Sequence, residues 1–249
     1  KGAWLNLTEP LSFISMNTDS RKTEKHALFF ALQGETFDGH DFLDAALANG
    51  SAALCINRNK LGNRKFSVPV LLVDDTLKAY QDIAKYYLGT FRKNLKVIAV
   101  TGSSGKTSSK EMLRAVFSGI YGSENVIATE GNTNNHIGVP LTLLSAPDDA
   151  AFLVVEMGAN HMGEIAALCK VSMPTHGIIT SIGTAHIEGF GSMENIRKAK
   201  SELYQSLRES NGTAIYNDDN PVLCELVSGM TNGVPYSAPG GHTLSAAPA

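Results

Sequence analysis

The sequence lacks the features that mark secreted, membrane-spanning or nucleic-acid-binding proteins. Its only three cysteines, Cys55, Cys169 and Cys224, are scattered and odd in number, which favours reduced thiols over a disulfide framework. No apolar stretch approaches the roughly 20 residues of a membrane span, and no signal peptide is visible. The formal net charge of −3 provides no basic field for nucleic acid or an anionic membrane. We therefore expect a cytoplasmic protein without nucleic-acid or membrane partners.

The composition is that of an ordinary globular protein. Of the 249 residues, 43% are hydrophobic and 18% are charged, enough for one large domain or two modest ones. The polar, basic stretch at residues 90–96 indicates a boundary, which gives predicted domains of 1–92 and 93–249. Because the chain starts at Lys1 and ends in a tail of small residues, our interpretation is a fragment of a longer protein, truncated near the end of its second domain.

Short apolar runs alternate with helical patterns along the chain. Helices are predicted at 40–50, at 75–89, with Asp75 as N-cap and Gly89 past the end, and at 192–207, with Ser192 as N-cap. This alternation predicts an α/β fold whose mainly parallel sheet is flanked by helices on both faces. The runs of strand length are 26–32, 52–56, 68–73, 96–100, 151–157, 175–182 and 212–217.

The stretch VTGSSGKTSSKEM, residues 100–112, joins a predicted strand to a predicted helix through a glycine-rich turn. This is the setting of a phosphate-binding loop, in which backbone N–H groups and the helix start approach phosphate oxygens. Lys106 would bridge the outer phosphates, and the Thr107 hydroxyl would bind Mg²⁺. The strict GxxxxGK[ST] motif fails because position 100 is valine, so a shorter variant is needed; a plain strand-to-helix connection is the alternative. The predicted nucleotide-binding residues are Gly102, Ser103, Ser104, Gly105, Lys106, Thr107 and Ser108.

A nucleotide site of this kind also needs an acidic metal ligand. Glu156 closes the apolar run 151–157 at the carboxyl end of a predicted strand, where ligands bind in open α/β sheets. His186 occupies a similar position after the run 175–182. A single histidine is more often structural than a metal ligand, so its position alone leaves both readings open.

The helix predicted at 192–207 directs one of its lysines inward. At about 100° per residue, Lys200 falls on the same apolar face as Ile196 and Leu203. Lys198 falls on the opposite side of the helix. A buried lysine is costly unless it is paired or chemically altered. Lys200 could extend past the apolar face to water, form an ion pair in the core, or react with CO₂ to form a carbamate that binds Mg²⁺.

Several stretches together resemble the Mur ligase family, in the family's order and across nearly the whole chain. The short phosphate-loop variant is the form found in this family. The loop, with its two serines, resembles the loop of the members that add D-alanyl-D-alanine. In members that add a diamino acid, this loop usually reads TGTNGKT. The other stretches are DSRK (19–22), LFFALQGETFDGHDF (28–42), GNTNNHIGVPLTLL (131–144), VVEMGANHMGEI (154–165), GTAHIEGFGSMENIRKAKSEL (183–203) and YNDDN (216–220).

The resemblance implies roles for individual residues. Lys106, Glu156, His186 and Lys200 would be catalytic, with Thr107 and Glu156 holding one Mg²⁺. A second Mg²⁺ would be held by His186 and by Lys200 as a carbamate made from CO₂. Asn132 and Asn135 would lie near the γ-phosphate and the acceptor carboxylate. The implied contacts to the UDP-sugar, in the first domain, are Asp19, Ser20 and Arg21.

The implied activity is an ATP-dependent, ADP-forming joining of D-alanyl-D-alanine to UDP-MurNAc-tripeptide by a monomer in peptidoglycan synthesis. A diamino-acid-adding ligase and a non-catalytic nucleotide-binding module are the alternatives. A GTPase should show an NKxD segment, and the sequence has none. The family's third domain and its HNxxNxxAA segment are not found here, so we expect this chain alone to lack turnover.

Overall fold

The computed structural model describes residues 2–34, 36–184 and 187–237, and the chain divides into two compact units, Lys1–Ile83 and Ala84–Ala249. Within the described ranges, none of the helices is both long enough and apolar enough to cross a membrane. The boundary expected after residue 92 stays a prediction, because one helix, Thr76–Phe91, carries residues of both units.

The first unit is built on a five-stranded sheet with the order β1-β5-β4-β3-β2, in which only β1 pairs antiparallel. Its core consists of alternate residues of the central strands, such as Phe29, Leu54 and Ile56, packed against Leu43 and Ala46. The strands are β1 (Ala3–Leu5), β2 (Ser15–Asn17), β3 (Ala27–Phe30), β4 (Ala53–Asn57) and β5 (Val70–Val73), and the helices are α1 (Leu43–Ala48) and α2 (Thr76–Phe91).

The second unit contains a six-stranded, wholly parallel sheet with the order β11-β10-β9-β6-β8-β7. Its strands are β6 (Lys96–Thr101), β7 (Val126–Ala128), β8 (Phe152–Glu156), β9 (His176–Ile179), β10 (Thr213–Asn217) and β11 (Gly233–Tyr236). Its helices are α3 (Lys106–Tyr121), α4 (Gly138–Leu144), α5 (Glu164–Ser172), α6 (Ile187–Phe190), α7 (Met193–Ser210) and α8 (Pro221–Val227).

The central strands of this sheet are buried on both faces. Along β6, Val97 and Ala99 join the large core cluster that includes residues of α5 and α7, whereas Ile98 and Val100 join the cluster packed against α3. Side chains alternate between the faces of a strand, so a strand between two helix layers must be apolar throughout. The predicted α/β fold, with a mainly parallel sheet flanked by helices, is confirmed.

The predicted end of α2 is wrong. Its start is confirmed, since Asp75 Oδ1 accepts a hydrogen bond from the Lys78 N–H at 2.9 Å. Gly89, however, lies inside the helix, which continues to Phe91. Tertiary contacts account for this: the buried Arg92 donates to the carbonyl oxygens at 146 and 150, at 3.0 Å each, and its N–H still bonds to Leu88.

Candidate active site

The loop that joins β6 to α3 needs glycine at two positions. Gly102 has φ +147° and Gly105 has φ +82°, conformations that other residues rarely adopt. A side chain at 102 would also collide with the Thr180 hydroxyl, because the end of β9 passes close to the loop. The two glycines therefore set the path of the backbone into α3.

The first turn of α3 presents backbone donors and a lysine. Among the described residues, no hydrogen bond is found from the N–H groups at positions 105–108, which begin the helix. A helix start with free N–H groups carries partial positive charge and attracts anions. The Lys106 ammonium lies on the same loop and donates to the carbonyl oxygens of Gly102, at 2.8 Å, and Ser103, at 3.4 Å. Together these groups form a cradle suited to phosphate.

Glu156 ends β8 and is only 2% exposed, facing the start of α3. Its Oε2 accepts a hydrogen bond from Thr107 Oγ1 at 3.0 Å, and its Oε1 accepts one from Asn134 Nδ2 at 2.8 Å. The pairing of β6 with β8 brings these groups together, because Val100 lies opposite Glu156 at the carboxyl ends of the two strands. The predicted neighbours Thr107 and Glu156 are thus in direct contact.

The Thr107–Glu156 pair fits a magnesium ion that also binds phosphate. Mg²⁺ prefers oxygen ligands and is usually held by one or two carboxylates, with substrate phosphates and water completing its shell. A carboxylate and a hydroxyl beside the phosphate cradle supply that donor set. Within the described ranges, no group of three or more His, Cys, Asp and Glu side chains is placed to hold a metal.

Lys200 lies inside the protein, as the helical geometry predicts. It is 1% exposed and shares the buried face of α7 with Ile196 and Leu203, whereas Lys198 is exposed. Its Nζ lies 5.5 Å from the centre of the Phe190 ring. Such burial contradicts the reading in which Lys200 reaches water. Over the part of the chain that the structure describes, it forms no ion pair either.

Burial, together with the positive charge of Lys106, lowers the pKa of Lys200 to about 8, against the opposing charges of Glu164 and Glu202. A larger share of Lys200 is therefore neutral near pH 7 than for an exposed lysine. The neutral amine is the form that reacts with CO₂. Carbamylation of Lys200 stays a prediction.

The asparagine segment supplies a site residue that the sequence analysis missed. Asn134, not Asn132 or Asn135, contacts Glu156. Asn132 is exposed, and Asn135 Oδ1 accepts from the N–H groups of Ile137 and Gly138, at 3.1 and 2.9 Å, at the start of α4. Three asparagines in GNTNN indicated that the segment was polar and local, but only the backbone path selects which one turns toward β8. The roles expected for Asn132 and Asn135 stay predictions.

Two other predicted groups stand differently. His186 lies outside the described residues, so its metal role stays a prediction. Ser103 and Ser104 lie in the loop, but their N–H and hydroxyl groups bond to residues 181–183. The structure thus gives both serines protein partners, and their expected role as nucleotide ligands stays a prediction.

The predicted sugar-binding residues line a cavity of about 460 Å³ in the first unit. Arg21 grips Asp19 through two bonds, Nε to Oδ1 at 2.9 Å and Nη2 to Oδ2 at 2.8 Å. These bonds lower the pKa of Asp19 to about 2. Polar and aromatic groups therefore meet in one concave surface, whose lining residues are Thr18, Asp19, Ser20, Arg21, Phe29, Leu32, Phe37, Gly39 and Phe42.

The loop under this cavity is fixed by a buried histidine. His40 Nδ1 lies 2.6 Å from Asp38 Oδ1, and its Nε2 accepts the Asn57 N–H at 3.0 Å. Asp38 also accepts from Lys60 at 2.8 Å. This network holds the segment that carries Phe37 and Phe42 against the sheet. Sequence spacing does not indicate this network, because Asn57 lies 17 residues from His40 and Lys60 lies 22 residues from Asp38.

Comparison with known families gives two matches along the chain. The profile of the Mur ligase middle domain matches residues 100–237, and that of the Mur ligase family catalytic domain matches residues 12–88.

Among curated relatives, the UDP-N-acetylmuramoyl-tripeptide–D-alanyl-D-alanine ligase of Bacillus subtilis is 44% identical over 214 residues, covering 86% of this chain and 45% of that protein. The ligase of the same name from Escherichia coli is 43% identical over 208 residues, covering 83% of this chain and 43% of its own length. The chain therefore spans about half the length of these relatives.

Among solved structures, MurF from Acinetobacter baumannii superposes with a TM-score of 0.83 at 35% identity, covering 96% of this chain and 51% of that one. MurF ligase from Thermotoga maritima in complex with ADP gives a TM-score of 0.78 at 33% identity, covering 90% of this chain and 50% of that one.

Proposed function

The chain belongs to the Mur ligase family, and on that premise we propose that it works as an ATP-dependent, ADP-forming ligase that joins D-alanyl-D-alanine to UDP-MurNAc-tripeptide. The names of its curated relatives support this choice of substrates. One observation carries the proposal: Glu156 and Thr107 are in hydrogen-bond contact at the start of α3, beside the N–H groups at 105–108, which have no partner in the described part of the chain. Such a cradle serves phosphoryl transfer.

The proposed reaction begins with transfer of the γ-phosphoryl group to a carboxylate. The free carboxylate oxygen of the tripeptide attacks the γ-phosphorus, a new O–P bond forms, and the bond to the β-phosphate oxygen breaks to release ADP. The N–H groups at 105–108 and the Lys106 ammonium stabilise the charge that spreads over the phosphoryl oxygens. Mg²⁺ held by Thr107 and Glu156 would neutralise phosphate charge in the same place.

The second step forms the amide. The amine of D-alanyl-D-alanine attacks the carbonyl carbon of the acyl phosphate, loses a proton, and expels inorganic phosphate. Phosphorylation is needed because a carboxylate oxygen is a poor leaving group whereas phosphate is a good one. The task of the chain in this step is to hold the acyl phosphate away from water while the amine reacts.

Lys200 completes the proposal as a carbamate. The Lys200 ammonium would first lose a proton. Its neutral amine would then attack CO₂, forming an N–C bond as one C=O π bond opens, and would lose a second proton, with both protons going to solvent. A buried cation would thus be replaced by an anion. That anion, with His186, would hold a second Mg²⁺. The burial of Lys200 and its lowered pKa support this role.

The cavity in the first unit is proposed to bind the UDP-sugar. Arg21 is exposed enough to reach a diphosphate, and Phe37 and Phe42 offer apolar surfaces for a base or sugar. In this proposal the protein is a monomer that acts on small molecules in the cytoplasm, where ATP and nucleotide-sugars are available. Its net charge of −3 is consistent with the lack of a nucleic-acid or membrane partner.

The test measures phosphate released from ATP, in the presence of Mg²⁺, by a form of the protein as long as its relatives. UDP-MurNAc-tripeptide and D-alanyl-D-alanine are added separately and then together, and release that needs both supports the proposal. Phosphate release that needs UDP-MurNAc-dipeptide and a diamino acid instead would assign the chain to the ligases that add a diamino acid. No substrate-dependent release would contradict the ligase assignment.

A further inference from the structure

Ser103 makes three hydrogen bonds to residues 180–183, the segment that follows β9 and is called here the β9 turn. Its N–H donates to the Ser181 carbonyl oxygen at 3.0 Å. Its hydroxyl donates to the Gly183 carbonyl oxygen at 2.9 Å and accepts the Gly183 N–H at 2.9 Å. All the hydrogen-bond donors of this serine are thus directed at the β9 turn.

Ser104 is held by the same turn through a reciprocal set of bonds. Its N–H donates to Ser181 Oγ at 3.0 Å, and its hydroxyl lies 3.1 Å from the same oxygen. Its carbonyl oxygen accepts from Thr180 Oγ1 at 2.6 Å and from Ser181 Oγ at 3.1 Å. One proton assignment satisfies every one of these groups: Ser104 donates twice to Ser181 Oγ, and both hydroxyls of the turn donate to the Ser104 carbonyl.

The pairing continues the parallel ladder of the sheet. β6 pairs with β9 up to Thr101 opposite Ile179, and the Thr180 N–H then bonds to the Thr101 carbonyl oxygen at 2.9 Å. Gly102 permits this approach, because a side chain there would meet Thr180. The contact between the loop and the β9 turn is therefore built into the strand order.

We propose that Ser103 and Ser104 are positioning residues that fasten the phosphate loop to the β9 turn and act on the nucleotide through the shape of the loop. The N–H and hydroxyl groups of both serines are occupied, whereas the backbone N–H groups of positions 105–108 at the start of α3 have no partner among the described residues. The inference rests on the proposed nucleotide site and assigns the direct contacts to the helix start and Lys106. Ser181, which lies 77 residues away in sequence, becomes part of the same unit.

A mutant cycle on the full chain separates this role from direct contact with the nucleotide. ADP affinity is measured by calorimetry for Ser104→Ala, Ser181→Ala and the double variant. Removing the Ser181 hydroxyl loses three bonds and removing that of Ser104 loses one, so Ser181→Ala should weaken ADP about three- to tenfold and Ser104→Ala less. The double variant should equal Ser181→Ala, because the two hydroxyls act through one contact.

Two further variants guard against a general loss of stability. Ser181→Thr keeps the hydroxyl and should restore affinity to within about twofold, and Ser109→Ala removes a hydroxyl from the next turn of α3 without effect. A larger loss for Ser104→Ala than for Ser181→Ala, or additive losses in the double variant, would overturn the proposal in favour of direct nucleotide contact.

Amide hydrogen exchange in the ligand-free chain tests the contact without any nucleotide. The N–H groups of Ser103 and Ser104 should exchange at least about tenfold more slowly than those at 105–108, and Ser181→Ala should remove the protection of Ser104. Fast exchange at both serines in the unmodified chain would refute the proposal. If the chain bound no ADP, the nucleotide site would fail, and exchange would still decide whether the serines are fastened to the β9 turn.

Discussion

At the scale of single residues, the site depends on how Glu156 is held. One carboxylate oxygen faces Thr107 and the other faces Asn134, while the Glu156 N–H donates to Thr129 Oγ1 at 3.0 Å. Thr129 is fixed in turn, because its carbonyl oxygen accepts from the buried Lys110 at 2.7 Å. The carboxylate is therefore oriented before any ligand binds, which lowers the cost of binding a metal there.

The same scale governs the acid titration of the first unit. Arg21 lowers the pKa of Asp19 to about 2 from the ordinary value of 3.8. The interaction therefore stabilises the folded state at pH values above 3.8, and this stabilisation is lost as the pH falls through about 2. Arg21→Met should raise the Asp19 pKa toward 3.8. NMR titration of the Asp19 carboxyl carbon measures this change. Arg114→Met removes an exposed arginine of the second unit as the control. A titration midpoint that stays near 2 in Arg21→Met would show that a group other than Arg21 lowers the pKa of Asp19.

Lys200 gives a chemical prediction. In ¹³C-bicarbonate, the protein should show a carbamate carbon resonance that disappears in Lys200→Ala and persists in Lys198→Ala, because Lys200 is buried whereas Lys198 is exposed. Lys200→Ala should also abolish ligation, and high bicarbonate should not restore it, since the nitrogen itself is missing. Near-normal turnover by Lys200→Ala would refute the metal-ligand role.

At the scale of elements, α7 shows what sequence periodicity can predict. Its N-cap, Ser192, accepts from the Asn195 N–H at 3.2 Å as expected, and its inward face is buried. These features depend on spacing along one helix, which the sequence states directly. The end of α2 and the choice of Asn134 depend on contacts with distant segments, so the sequence could not supply them.

Packing of α7 against the sheet supplies an element-scale prediction. Leu203 is fully buried and lies against the backbone of β9 at Gly177, where no side chain intervenes. Leu203→Ala should lower the free energy of unfolding by about 2–5 kcal/mol, because the removed atoms leave a cavity. Urea denaturation measures the change. Gln205→Ala, on the exposed face of α7, should change it by less than about 0.5 kcal/mol, and equal losses would contradict this packing.

At the scale of the whole molecule, the two compact units carry separate candidate sites. The cavity at Asp19–Arg21 belongs to the first, and the phosphate cradle belongs to the second. The sequence predicted the phosphate site from the setting of GSSGKT, with Glu156 at the end of another strand, and the sugar site at DSRK through the family resemblance. It did not place the strand of Glu156 next to β6, since strand order comes from pairing between distant segments.

This separation predicts reciprocal binding behaviour. Arg21→Ala should weaken a UDP-sugar at least about tenfold and leave ADP unchanged, whereas Lys106→Ala should do the reverse, because each charge meets only its own diphosphate. Calorimetry with each ligand, alone and in the presence of the other, measures both effects. Competition between the two ligands in the unmodified protein would show that they share one site.

The central claim is that the phosphate cradle serves transfer of a phosphoryl group to a carboxylate. The most direct test uses UDP-MurNAc-tripeptide with both oxygens of its free carboxylate labelled with ¹⁸O, turned over with ATP and D-alanyl-D-alanine by the protein at the full length of its relatives. Mass spectrometry of the released phosphate should find one ¹⁸O atom per molecule, because the attacking oxygen leaves with the phosphorus. Released phosphate without ¹⁸O would contradict the acyl-phosphate mechanism and the function proposed for this site.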